Sequence, residues 1–263
     1  MTSGISNTSG QFLLNHHQGT GRKTARPDGG RRVHGPIGSG WPPEDIGSDV
    51  RDFAGMRILV ATSNPGKLRD LAGAAMGHEI EIAGIPNFAV LQPVIEDGST
   101  FEANARKKAQ QYSLAAPEEI VVADDSGLEV DALKGAPGVH SARYAAEDPS
   151  RPGSNADDNS NNARLLRELL GVPLEKRTGR FVCVIAAARN GRILCAFRGV
   201  AEGLILDHPQ GTGGFGYDPL FYFPSIQKTF AELAPEEKAR YSHRGQALRK
   251  LLAWMDERKG SQV

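Results

Sequence analysis

What this chain has little of narrows its function first. Only two of its 263 residues are cysteine, Cys183 and Cys195. Two such residues do not make a disulfide framework, and they read better as small buried side chains. No cysteine and histidine cluster has metal-ligand spacing, so a zinc site of that kind is not expected. No run of about 18 apolar residues occurs, so no membrane span is expected either. Net charge is also missing: 31 lysines and arginines balance 31 aspartates and glutamates. Without a basic surplus the chain is not suited to coating a nucleic acid. Affinity for phosphate would have to come from a local site. The expected location is the cytoplasm.

The chain divides by composition. Residues 1–55 are rich in Gly, Ser, Asn, Pro and Arg and show no apolar period. Such a stretch buries too little surface to offset its ordering entropy, so it reads as a disordered extension. A targeting segment, or a true start at Met56, are the alternatives. The catalytic domain is expected over 56–263. Arg57 to Ala61 (RILVA) reads as a buried strand. Asn64 and Pro65 then suit the N-cap and first position of a helix. Ser99 and Glu102 are spaced as a capping box for a second helix, with Phe101, Ala105, Ala109 and Tyr112 along one face. Ile120 to Ala123 (IVVA) reads as a strand ending in Asp124 and Asp125. Residues 146–162 read as an exposed polar loop, followed by the helix ARLLRELL, which stops at Gly171. Two long apolar runs meet at Asn190-Gly191, a strong hairpin signal. Its register should pair Ala186 with Cys195 and put the two cysteines on opposite faces. A helix near 236–241 precedes another after Ser242, with Leu248, Leu251, Leu252 and Met255 as its apolar stripe. Strands alternating with helices, plus one hairpin, imply an α/β protein with a mixed sheet.

Four segments carry chemistry. In Thr62-Ser63-Asn64-Pro65-Gly66-Lys67, free N–H groups at a helix start and the Lys67 ammonium favour an anion. It is not a Walker A loop. Asp124-Asp125-Ser126-Gly127 sets two carboxylates at a strand end, where something cationic should compensate them. Their hard oxygens suit Mg²⁺. Side chains diverge in a strand, so one carboxylate can hold the metal while the other handles water. In Gly211 to Asp218, glycines frame Phe215, a ring on which a base can stack. Ser242 can cap a helix whose first turn carries His243 and Arg244. Cations there oppose the helix dipole, which makes sense if an anion or a purine oxygen binds nearby.

Taken together, TSNPGK, TFEANA, ADDSGLEVDALKGAPGVHSARYA, GTGGFGYDPLF and SHRGQAL resemble, in order, the inosine-triphosphate pyrophosphatase family, the XTP/dITP diphosphatases. The resemblance runs from Met56 to about Trp254. It implies a two-lobed α/β fold around a long mixed sheet, with substrate in a cleft between the lobes, and a homodimer. It implies hydrolysis of ITP, dITP and XTP to the monophosphate and pyrophosphate. Residue by residue, Thr62 to Lys67 would bind the triphosphate and Ser126 would touch substrate. Asp125 would be the metal-binding proton acceptor, and Glu96 the second carboxylate for Mg²⁺. Phe215, Gly216, Tyr217, Asp218, Lys238, His243 and Arg244 would contact the nucleoside. In the mechanism this implies, Lys67 stabilises charge on the phosphates, and either Asp124 or Asp125 accepts the proton. A pyrophosphatase for other modified nucleotides and a silent nucleotide-binding sensor are the alternatives.

Overall fold

The computed structural model of the chain describes residues 57–146 and 155–260. The N-terminal extension, the alternative start at Met56 and the middle of the polar loop lie outside the described residues.

Strand β1 (Arg57–Val60) is an apolar run with nearly no exposed face, which suits a strand covered on both sides. It pairs in parallel with β2 (Glu81–Gly84) and with β3 (Ile120–Val130). Beyond β3 every pairing is antiparallel, through β4 (Thr178–Arg189), β5 (Arg192–Ile205), β6 (Phe221–Phe223) and β7 (Lys228–Thr229). The sheet order is β2-β1-β3-β4-β5-β6-β7, a long mixed sheet as expected. Its helices are α1 (Pro65–Ala74), α2 (Phe101–Ser113), α3 (Asp158–Glu168), α4 (Pro235–Tyr241) and α5 (His243–Gly260).

Alternation along β1 and β3 divides the core. Ile58, Val60, Ile120 and Val122 face Leu71 of α1 and Leu248, Leu251, Leu252 and Met255 of α5. Each of these α5 side chains, buried whole, contributes roughly 1.5–3 kcal/mol. Leu59, Val121 and Ala123 face the other way, onto Phe101, Ala105, Ala109 and Tyr112 of α2. Further along β3, Leu128 and Val130 join a third core with Phe181, Phe221, Phe230 and the α3 residues Leu165 and Leu169. Asp124 to Gly127 therefore occupy the junction between the two ends of the sheet. This is the two-lobed arrangement, with the acidic segment at its waist.

Local readings fail at four places, each for a physical reason. β3 does not end at the aspartates. It continues to Val130, because β4 pairs with it through the whole acidic segment. What ends there is β1, whose last partner is Val122. The α2 cap is Thr100, not Ser99: the Thr100 side chain accepts from the Ala103 N–H at 3.1 Å. Glu102 bonds Arg106 one turn on, at 2.8 Å, so it belongs to an i,i+4 pair. α3 starts at Asp158, within the expected loop, because Asp157 caps Ser160 N at 2.9 Å. The hairpin turn forms at Asn190-Gly191 with both residues at positive φ, 48° and 74°. One extra residue then bulges between Ile193 and Cys195, so Cys195 pairs with Ala187 and Cys183 with Gly199. The shift brings both cysteines to one face, in the same core cluster, as free buried thiols.

Candidate active site

The site is assembled around β3, whose alternation sends the two aspartates to opposite faces. Asp124 shares a face with Val122, toward α1 and α5. Its Oδ2 receives Lys67 Nζ at 3.1 Å, Arg244 Nε at 3.2 Å and the Ser126 hydroxyl at 3.1 Å. Burial opposes ionisation of Asp124, but Lys67 and Arg244 outweigh it and hold the carboxyl well below the usual range. Such a group is a poor proton acceptor. Ser126 in turn accepts from Arg244 Nη2 at 2.8 Å.

Asp125 faces α2 and meets a different environment. Its Oδ2 accepts from Asn104 Nδ2 at 3.0 Å, and its Oδ1 lies 3.4 Å from Lys108 Nζ. Lys108 also binds Glu96 Oε2 at 2.9 Å. Burial pushes the Asp125 carboxyl up to about 6, against the pull of Lys108 and with the help of Glu96. Glu96 goes the other way: burial opposes its ionisation, and Lys108 outweighs burial. The Glu96 and Asp125 carboxyls are themselves within hydrogen-bond reach. Two acidic groups so close need positive charge between them, and Lys108 supplies part of it. This convergence of hard oxygens fits Mg²⁺, which commonly takes one or two carboxylates and completes its shell with water and phosphate. Among the described residues there is no group of three or more metal-ligating side chains, so substrate and water would complete the shell.

The loop before α1 lies on the Asp124 side. Asn64 Oδ1 accepts from Gly66 N at 2.8 Å and Lys67 N at 3.2 Å, so the helix start is capped by the chain itself. Thr62 Oγ1 accepts from Asn64 N at 3.1 Å, while Ser63 and Pro65 are exposed. The expected free N–H groups are thus partly spent. The donors that remain are mostly side chains: the Asn64 amide, the hydroxyls of Thr62 and Ser63, and Lys67. Gly66 has no side chain because Phe215 lies against it: a Cβ there would stand 2.7 Å from the ring. Phe215 also carries Lys238 Nζ 4.6 Å from its ring centroid and the Arg244 guanidinium at 5.4 Å.

The remaining residues of the glycine loop brace Phe215. Asp218 is buried and accepts from Phe215 N at 2.8 Å and Lys238 Nζ at 2.6 Å. Gly216 is gripped from α3, its N–H by Asp158 at 2.6 Å and its carbonyl by Asn162 at 3.0 Å. Tyr217 is buried too, its hydroxyl donating to the Ser141 carbonyl at 2.8 Å. At the start of α5, the chain supplies its own anions for Arg244: Asp70 at 2.8 Å as well as Asp124. His243 adds no second cation. Burial holds its pKa well below the ordinary value, and Arg244 and Lys238 push the same way. Its ring stacks 4.8 Å from Phe181, with Nδ1 buried and, among the described residues, without a hydrogen-bond partner.

Three residues of this site had not been read from the sequence. Asn104 and Lys108 lie one turn apart on α2, within its apolar stripe, and both are buried. A lysine and an asparagine interrupting a buried face were a visible signal. Asp70, which joins Arg244 to Lys238 at 2.8 and 3.6 Å, carries no such mark.

The sequence profile of the Ham1 family matches residues 58–254. A dITP/XTP pyrophosphatase of Desulforamulus reducens is 52% identical over 201 residues, 75% of this chain and 94% of the relative. One of the same name from Acidobacterium capsulatum is 50% identical over 199 residues, 75% of this chain and 97% of the relative. The structure of a HAM1 protein from Coxiella burnetii superimposes with a TM-score of 0.65 at 40% identity, covering 77% of this chain and 99% of that one. With the profile spanning most of the chain and the described sheet shared with a solved member, this protein belongs to the Ham1 family.

Proposed function

We infer that this chain hydrolyses non-standard purine nucleoside triphosphates, ITP, dITP and XTP, to the monophosphate and pyrophosphate. The dITP/XTP pyrophosphatases among its relatives support the substrate class. One observation carries the chemistry: adjacent carboxylates of β3 face opposite ways with opposite acid strengths. Asp124 is an anchor for Lys67 and Arg244, and Asp125 is a base with its carboxyl raised beside Glu96.

In this reading Thr62 to Lys67 bind the triphosphate through side-chain donors and the Lys67 charge. Ser126, linked to both Asp124 and Arg244, contacts the substrate. Phe215 gives the base a flat face, and Gly216, Tyr217 and Asp218 hold that ring in place. Lys238, His243 and Arg244 supply donors for the 6-oxygen of hypoxanthine or xanthine. Adenine offers an amino group there and leaves those donors unpaired, a mismatch that discriminates strongly. Glu96 and Asp125 would hold Mg²⁺, which supplies charge neutralisation on the phosphates. The residues do the rest by position and charge, as is usual when phosphorus is the reacting centre. Water oxygen bonds to the α-phosphorus as the bond to the bridging oxygen breaks. The electron pair leaves with pyrophosphate, and the proton of water passes to Asp125. Asp124 takes no proton; it positions Lys67 and Arg244. A homodimer and a cytoplasmic location belong to the same reading, and sedimentation of the full chain checks the first.

The test is pyrophosphate release from ITP, XTP, dITP, GTP and ATP, with Mg²⁺ and with EDTA. Metal-dependent release from the first three, with little from ATP, supports the reading. No release from any of them by folded protein would sink it.

A further inference from the structure

The cations gathered around the two aspartates are already neutralised. Lys67 has Asp124, Lys108 has Glu96 and Asp125, Lys238 has Asp218 and Asp70, and Arg244 has Asp70 and Asp124. Beside Glu96, Lys107 is paired with Asp97 and Arg106 with Glu102. A triphosphate entering this site must share each of them with a carboxylate.

One neighbouring cation is different. Arg143 ends the 3₁₀ turn Gly138–Arg143 and is half-buried. Among the described residues its guanidinium makes one hydrogen bond, a long one: Nη2 donates to the Glu96 carbonyl at 3.4 Å. Among the described residues no carboxylate pairs with it. The turn that carries it is held firmly against β3. Ser141 Oγ accepts from Leu128 N at 2.9 Å and donates to the Gly138 carbonyl at 2.6 Å. Gly127, two residues after Asp125, makes this possible, since any Cβ there would collide with Ser141 Oγ and the Gly138 carbonyl. Tyr217 fixes the same turn from the glycine loop. Arg143 therefore stands, already ordered, beside Glu96 on the Asp125 side, whereas Lys67 and Arg244 engage Asp124.

We propose that Arg143 binds the terminal phosphates of the substrate, the part that leaves as pyrophosphate, and balances the charge gathering there as the bond to the α-phosphorus breaks. The inference rests on the pyrophosphatase reading given above. Its physical basis is a planar fork of N–H donors matched to phosphate oxygens, most of them unused and none, among the described residues, claimed by a carboxylate. A lysine keeps the charge but loses the fork.

The experiment compares wild type, Arg143→Ala and Arg143→Lys in ITP hydrolysis, and in inhibition by added pyrophosphate and by inosine monophosphate. Arg143→Ala should lower kcat/KM for ITP by about 10- to 100-fold, the loss of a charged hydrogen-bonding partner. It should raise the inhibition constant of pyrophosphate by a similar factor and leave that of inosine monophosphate within about twofold. Arg143→Lys should recover part of both losses. Unchanged kcat/KM in Arg143→Ala overturns the proposal. Equal weakening of both inhibitors also overturns it, because a merely structural role disturbs the whole site. So does wild-type enzyme that turns over ITP yet is indifferent to pyrophosphate. Failure of the wild type to release pyrophosphate from ITP at all would instead overturn the function on which the inference rests.

Discussion

At the scale of residues, neighbouring carboxylates differ because their counter-ions differ. Asp124 receives two cations and a hydroxyl, while Asp125 shares a single ammonium with Glu96. Two substitutions separate their roles. Asp125→Asn removes the proton acceptor with little change of shape, and should lower kcat by about 10²- to 10⁴-fold. Circular dichroism and the melting temperature should show an intact fold; near-normal turnover would remove Asp125 from the mechanism. Asp124→Asn should act on stability as well, because it leaves Lys67 and the fully buried Arg244 short of an anion. Breaking a buried pair from one side costs about 3–5 kcal/mol. Urea unfolding measures it, and a loss under about 1 kcal/mol would mean that Asp70 alone satisfies Arg244.

At the scale of elements, the helix termini decide where the working side chains stand. Asn64 sets the start of α1 and so the reach of Lys67. Thr100 sets the start of α2, and with it Asn104 and Lys108. The cap at Thr100 yields a paired prediction: Thr100→Ala should destabilise the protein by about 1 kcal/mol, and Ser99→Ala by less than about 0.5 kcal/mol. Chemical denaturation of the two variants side by side checks it, and the reverse order would restore Ser99 as the cap. α2 also shows how much of the site was legible. Its apolar stripe at Phe101, Ala105, Ala109 and Tyr112 was readable, since burial follows period. The two polar residues within that stripe went unread, because a lone lysine on a helix is usually solvated. Only the approach of Glu96 and Asp125 makes burial of Lys108 affordable. α3 repeats the lesson. Asp158 and Asn162 looked like loop residues by composition, but Asp157 caps the helix that contains them, and the Gly216 peptide gives each a partner.

At the scale of the whole molecule, burial of titratable groups couples stability to pH, with signs that oppose. His243 is held below its ordinary 6.5. As pH falls below 6.5 the unfolded chain takes up a proton that the fold refuses, and stability drops by up to about 1.4 kcal/mol per pH unit. Asp125 acts oppositely: raised from 3.8 to about 6, it binds a proton in the fold first and adds stability over that interval. Asp124 is depressed, so its contribution persists above 3.8 and is lost only below. Between pH 6 and 4 the His243 and Asp125 contributions therefore oppose each other in the metal-free protein. Replacing His243 by Phe, which keeps the stack on Phe181, should remove one slope. The variant should gain on the wild type as pH is lowered from 7.5 to 5, by more than about 1 kcal/mol. Melting curves across that range test this, and a constant difference would mean that His243 titrates normally.

The sequence by itself determined the mixed sheet, the order of its principal helices and the four segments that meet at the site. Those features are written in period, turn chemistry and motif, which depend on neighbours in the chain. Tertiary structure alone decided the rest. The continuation of β3 past Asp125 needs β4 beside it. The common face of Cys183 and Cys195 hangs on one bulged residue, because the side-chain period of a strand is two and a single insertion flips a face. The charge states of Asp124, Asp125 and His243 depend on which cations fold against them and how much water is excluded. Asp70 and Arg143 have no local signature at all. What they do is set by the charged partners that the fold brings to them or withholds, since an ion's partner is a fact of space and not of sequence.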